Sequence, residues 1–71
     1  MIRYAYEYRI NKKGAECFRS SDYDAILRKL EALMSNKPNV TFTVQSRSCR
    51  LDKLGIMQKD FMGRPAWGPW S

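Results

Sequence analysis

Tyrosine occupies every second position near the start of the chain, in the stretch RYAYEYRI at residues 3–10. This alternation separates the side chains into two sets on opposite sides of an extended segment. The apolar set is Ile2, Tyr4, Tyr6, Tyr8 and Ile10, and the other set is Arg3, Ala5, Glu7 and Arg9. A period of two with aromatic and β-branched residues predicts a half-buried β-strand. The apolar side, called the tyrosine side below, needs a second layer to cover it.

The segment NKKG at residues 11–14 predicts a turn after this strand. Asn suits the first position of a type I turn and Gly the fourth, which is typical of a three-residue hairpin loop with Gly14 left-handed in a bulge. In that register Tyr8 pairs with Phe18 and Arg9 with Cys17. We prefer it because a slip of one residue would move Phe18 to the polar side.

A helix follows the hairpin. Ser21 is a good N-cap, with Asp24 as its weaker capping-box partner. Pro38 predicts the end, because the residue before a proline disfavours α-helical geometry. The apolar residues recur at intervals of three and four. They are Tyr23, Ile26, Leu27, Leu30, Leu33 and Met34. We expect this stripe to pack on the tyrosine side, which makes Tyr4, Tyr6 and Tyr8 walls of the core rather than a platform for stacking bases.

A third strand is predicted at residues 40–47, where polar and apolar residues alternate again. Val40, Phe42 and Val44 face the core, together with Phe18. The sequence therefore predicts an α+β domain at residues 1–47 with the order strand, strand, helix, strand (ββαβ). Its three-stranded antiparallel sheet has the strand order 2-1-3, and the helix lies on one face.

Residues 48–62 form a C-terminal extension with two open interpretations. Apolar residues at spacings of three and four permit a helix, but Gly55 in its middle costs about 1 kcal/mol. A loop with a short strand at residues 55–61 competes. The last segment, residues 63–71, is rich in Pro and Gly and predicts no regular structure. It carries Trp67 and Trp70, which either fold back on the domain or bind a partner.

Composition narrows the class of function. The 71 residues carry a net charge of +6, no histidine and two cysteines. Without histidine, and with scattered carboxylates, we expect no enzymatic activity, cofactor, metal site or small-molecule substrate. No stretch suggests a signal peptide, a membrane span or a membrane partner. We therefore expect a cytoplasmic protein with reduced cysteines.

The second side of the sheet, called the arginine side below, suggests a partner. Strand parity places these residues on it: Arg3, Ala5, Glu7, Arg9, Cys17, Arg19, Thr41, Thr43, Gln45 and Arg47. With the Lys12–Lys13 turn, this side favours an acidic protein surface as partner. The predicted partner-binding residues are Arg3, Arg9, Lys12, Lys13, Arg19, Arg47, Trp67 and Trp70.

Nucleic acid is the alternative partner. The arginine side lacks aromatic residues for base stacking, so such binding would be phosphate-led and weakly sequence-specific. If the tail folds back on this side through arginine–indole contacts, the nucleic-acid hypothesis weakens. Open strand edges also permit a weak homodimer in place of a monomer.

The hairpin, the helix start SSDYDAIL and the strand VTFTV together resemble the layout of many very small phage and prophage proteins. The resemblance covers residues 2–47 at the level of layout and includes no specific motif. Some of those proteins inhibit host enzymes, including RNA polymerase. The resemblance therefore implies an inhibitor or regulator of a host protein, and it assigns no role to any residue.

Overall fold

Three strands and one helix make up the fold, in a computed structural model that describes residues 2–71. Their bounds are β1 Arg3–Lys12, β2 Ala15–Ser20, α1 Tyr23–Asn36 and β3 Phe42–Leu51. The strands are antiparallel in the order β2-β1-β3. The predicted α+β class, ββαβ order and sheet topology are confirmed. The bounds of the third strand differ from the prediction. It starts at Phe42 rather than at residue 40, and it includes residues 48–51, which were predicted to belong to the C-terminal extension.

The hairpin turn is shorter than predicted. Lys12 pairs with Ala15, so only Lys13 and Gly14 form the loop. Their φ angles are 51° and 79°. Two successive residues with positive φ are typical of a type I′ turn, whose twist matches that of the flanking strands.

The predicted register of the hairpin is wrong. Phe18 pairs with Ile10 rather than with Tyr8, and Arg9 does not pair with Cys17. A β-bulge next to Ile10 places an additional residue, Cys17, in β2. This additional residue reverses which side of the sheet each later residue of β2 faces. Phe18 therefore stays on the tyrosine side, although its pairing partner differs from the predicted one.

Helix α1 begins one residue later than predicted. Asp22, not Ser21, is the N-cap, and its Oδ1 accepts a hydrogen bond from the Asp24 backbone N–H at 3.0 Å. The carboxylate also suits the positive end of the helix dipole. The helix ends at Asn36, two residues before Pro38, as the proline predicts.

The helix covers only one end of the tyrosine side. It packs against β1 and β2, and β2 pairs with only the Tyr8–Lys12 half of β1. Ile10 and Ile26 are fully buried there, and the rings of Tyr8 and Tyr23 lie 5.0 Å apart. Tyr4 and Tyr6 are 46% and 51% exposed, so the prediction that they wall the core is wrong. The helical stripe is also less buried than its periodicity predicts. Its exposed members are Tyr23, Leu27 and Met34.

The C-terminal extension contains two turns of the same kind rather than a helix. The segments DKLG and DFMG begin at Asp52 and Asp60 and end at Gly55 and Gly63, which have φ values of 80°. In each turn the Asp Oδ1 accepts two backbone N–H bonds. The donors are Leu54 and Ile56 in the first turn and Met62 and Arg64 in the second. Asp at the first position and Gly at the fourth indicate this turn in sequence.

The extension also covers the outer edge of β3. Three carbonyl groups of that edge accept backbone hydrogen bonds from residues of the C-terminal segment. The bonds run from Gln58 N to Arg50 O at 2.9 Å, from Gly68 N to Ser48 O at 2.8 Å and from Ser71 N to Ser46 O at 2.9 Å. The hairpin at residues 59–65 interrupts this ladder. Edge β3 is therefore protected from pairing with another chain. The helix of the described chain is not long and apolar enough to span a bilayer.

Candidate partner-binding surfaces

The tail folds back on the arginine side, which resolves the alternatives left open by the sequence. The ring centroid of Trp70 lies 4.3 Å from Cζ of Arg9, 4.5 Å from Cζ of Arg47 and 5.4 Å from Cζ of Arg19. Trp67 lies 4.7 Å from Cζ of Arg47. Each strand supplies one arginine to this cluster, called the arginine–tryptophan cluster below. Delocalised guanidinium groups stack on indole more readily than lysine ammoniums do.

Two glutamates neutralise part of the cluster. Glu7 accepts hydrogen bonds from Arg47 Nε and Nη2 at 2.9 and 2.5 Å. Glu16 accepts from Arg19 Nε and Nη2 at 3.0 and 2.6 Å, and Arg9 lies 3.7 Å away. The hydrogen bond from Arg19 lowers the pKa of Glu16 and raises the pKa of Arg19. The two-residue turn pairs Glu16 with Asn11 and so brings it to this side, which the predicted three-residue turn did not.

An amide pair completes the polar network beneath the tail. Gln45 Oε1 accepts hydrogen bonds from Arg9 Nε and Nη2 at 3.0 and 2.8 Å and from Asn11 Nδ2 at 2.6 Å. Asn11 is buried, and its Oδ1 has no hydrogen-bond partner among residues 2–71. The side chains of Arg9 and Arg47 are only 24% and 19% exposed. These two side chains are therefore largely withdrawn from solvent.

The other predicted site residues lie apart from this cluster. Arg3 is exposed at the far end of β1, where it pairs with Leu51 of β3. Lys12 and Lys13 lie at the hairpin end of the sheet, where Lys37 joins them from the C-cap of α1. These three lysines are called the lysine end below. Sequence reasoning missed Lys37, which reaches the hairpin because the helix runs back along the sheet.

Positive charge is concentrated and unbalanced at the lysine end. The charge of Lys37 is the main cause of a lowered pKa at Lys12, and the charge of Lys13 adds to it. In the described residues, no carboxylate lies within 4.0 Å of these lysines. A groove of about 430 Å³ adjoins them. It is lined by Lys13, Gly14, Asn39, Val40, Thr41 and Thr43. Ammonium, hydroxyl and amide donors in one place suit carboxylate groups of a partner.

In the part of the chain that the structure describes, no three Cys, Asp or Glu side chains are close enough to share a metal ion. Both cysteines are free, with Cys17 exposed and Cys49 buried. No family model, curated protein or solved structure matches this chain.

Proposed function

We propose that this protein is a small non-enzymatic binding module that acts, in the cytoplasm, through a protein partner with an acidic surface. The observation that carries the proposal is the unbalanced charge of the lysine end, formed by Lys12, Lys13 and Lys37. Surplus charge of one sign steers and orients an oppositely charged partner. By the layout it shares with very small phage proteins, the module is an inhibitor or regulator of a host protein. It acts as a monomer or a weak homodimer.

The backbone at Lys13 supports this assignment. A type I′ turn favours Asn-Gly, because both central residues need positive φ. Here the first central residue is Lys13, with φ 51°. A side chain other than Gly, Asn or Asp costs free energy in this conformation. Lys13 therefore adopts a strained conformation that places its ammonium at the tip of the hairpin, as expected if this charge contributes to binding.

The tail favours a protein partner over nucleic acid. Phosphate-led binding needs several exposed cations, because affinity comes from releasing counterions at many phosphates. The nucleic-acid alternative required Arg9, Arg19 and Arg47 on an open surface. These arginines instead contact Trp70 and two glutamates. The lysine end alone provides three cations, enough for a local acidic patch but few for phosphate-led binding, in which the affinity comes from many phosphate contacts.

A pull-down with the Lys13→Asn variant tests the proposal. The variant removes the charge but relieves the turn, so its unfolding free energy should rise by up to about 1 kcal/mol. Retention of the partner should fall about threefold to fivefold, the effect of losing one exposed ion pair. Lys53→Asn is the matched control, because it removes the same charge from an exposed turn residue outside the lysine end. The control should retain the partner fully.

Nuclease treatment in parallel separates the two partner classes. If captured proteins stay bound after nuclease treatment and are lost from Lys13→Asn, the proposal holds. Proteins that nuclease releases were bridged by nucleic acid, and the proposal fails if no captured protein remains after the treatment. Equal retention by Lys13→Asn, Lys37→Gln and the unaltered chain would also reject it, because the lysine end would then play no part.

A further inference from the structure

The uncovered end of the tyrosine side presents two aromatic rings to solvent. Tyr4 and Tyr6 are 46% and 51% exposed, with ring centroids 6.4 Å apart and ring planes inclined at 48°. Directly across the strand pair, Arg50 lies opposite Tyr4 and Ser48 opposite Tyr6. Paired residues share one face of a sheet, so these four side chains form one surface. We call it the tyrosine platform.

The platform is bare because both covering elements are used elsewhere. Helix α1 lies over β2 and the Tyr8–Lys12 half of β1. The tail lies on the opposite side of the sheet, with Trp67 and Trp70 among the arginines. Between the two, the β1–β3 strand pair extends beyond β2 with one face uncovered. The described chain leaves this aromatic surface without a cover of its own.

We propose that the tyrosine platform binds single-stranded nucleic acid, by stacking bases on Tyr4 and Tyr6 and contacting phosphate through Arg50. Readers of single strands on sheets use exposed aromatic rings for the bases and nearby cations for the backbone. Here the rings occupy alternate positions on the central strand, and the cation stands beside them. Arg50 is exposed and has no carboxylate within 4.0 Å in the described residues. The net charge of +6 favours the approach of a polyanion.

The small size of the platform favours a single strand over a protein as its occupant. A specific protein interface buries about 800 Å² on each partner, whereas the platform consists of Tyr4, Tyr6, Ser48 and Arg50. Two neighbouring bases and a phosphate match two rings and one cation. Beyond Tyr8, the Asp22 cap of α1 places negative charge at the helix end of the surface. A single strand would therefore run from Tyr6 toward Tyr4 and Arg50, away from the aspartate.

Fluorescence anisotropy with a labelled oligothymidylate of about ten nucleotides tests the proposal, since this length exceeds the two bases that the two rings would stack and lies within the range of about 4–16 nucleotides that OB folds bind. Tyr4→Leu and Tyr6→Leu keep an apolar side chain on the strand but remove the ring. Each should weaken binding at least about fivefold, because one stacked base is worth about 1–3 kcal/mol. Phe61→Leu is the matched control, since Phe61 is 97% exposed and lies in the extension, off the platform. It should leave the affinity unchanged.

A loss of binding in the leucine variants would not be explained by unfolding. Both tyrosines are half exposed, so the leucine variants should melt within about 3 °C of the unaltered chain. Duplex DNA should compete poorly, because its bases are already stacked. The absence of oligonucleotide binding, or binding unchanged by both leucine variants, would overturn the proposal. So would a solution mass of a dimer that Tyr4→Leu converts to a monomer, because the platform would then bind a second copy. This inference does not depend on the lysine end.

Discussion

The two sides of the sheet differ in how exposed they are, and the difference is the reverse of what their polarity predicts. The arginine side is rich in charge, yet the side chain of Arg47 is only 19% exposed beneath the tail. The tyrosine side is apolar, yet Tyr6 is 51% exposed. Polarity along a strand shows which side chains share a face. It does not show how far another element reaches across that face.

The size and chemistry of the two covers explain the difference. Helix α1 has 14 residues, which corresponds to about 21 Å, and it lies at the hairpin end of the sheet. The tail pairs along the edge of β3 through Gln58, Gly68 and Ser71. This brings its two indoles over the arginines, where glutamates already neutralise part of the charge. A polar face can thus become the covered one when aromatic rings and guanidinium groups meet on it.

The largest expected effect contrasts two residues of the tyrosine side. Ile10 is fully buried and Tyr4 is half exposed, although both belong to β1. Ile10→Ala should lower the free energy of unfolding by about 2–5 kcal/mol, because it leaves a cavity. Tyr4→Ala should lower it by less than about 1 kcal/mol. Urea-induced unfolding measures both.

The unfolding experiment has a fallback variant. Should Ile10→Ala fail to fold, Ile10→Val should still cost about 1 kcal/mol. Equal costs for the substitutions at Ile10 and Tyr4 would mean that the helix covers the whole tyrosine side. That outcome would also remove the tyrosine platform.

A smaller effect is expected on the arginine side. Trp70→Ala removes an indole that contacts three arginines, and it should lower the free energy of unfolding by about 2–3 kcal/mol. Phe61→Ala, at a residue that is 97% exposed, should change it by less than about 0.5 kcal/mol. If the two variants unfold at the same urea concentration, the tail does not pack on the sheet as described.

The smallest effect depends on pH. The hydrogen bond from Arg19 lowers the pKa of Glu16 in the folded protein. A carboxyl group with a lowered folded pKa adds stability above its unfolded pKa, and this contribution is lost as pH falls through the folded value. Glu16→Gln should therefore melt slightly below the unaltered chain at neutral pH. This deficit should shrink as pH falls below the usual pKa of glutamate and disappear below the lowered folded pKa.

The control for the pH experiment is Glu31→Gln, because Glu31 lies on the exposed surface of α1 and outside the ion pairs of the described residues. Glu31→Gln should melt with the unaltered chain at neutral pH, because it removes no ion pair of the described residues. A Glu16→Gln deficit that persists at low pH would show that the Arg19 ion pair is not its cause. In that case the stability of the arginine side would come from the packing of the tail.

Local sequence patterns were sufficient to predict the strands, the helix and their order. Period-two alternation predicted β1 and β3, and three-and-four spacing predicted α1. The order β2-β1-β3 was predicted because it keeps every neighbouring pair of strands antiparallel. These features depend on the residues of each segment and on their immediate neighbours. For the same reason, the Asp-x-x-Gly turns at Asp52 and Asp60 have a recognisable sequence signal. The prediction assigned this turn type to residues 11–14 instead.

Features that depend on contacts between distant segments needed the tertiary structure. The bulge at Cys17 reset the hairpin register, because a two-residue type I′ loop and the match of Phe18 to Ile10 could not both be met without an additional residue. The approach of Lys37 to Lys12 follows from the direction of the helix. The sequence by itself thus determined which residues of β1 and of β3 share a side of the sheet. Only the tertiary structure decided which sides are covered, because coverage depends on where the helix and the tail end.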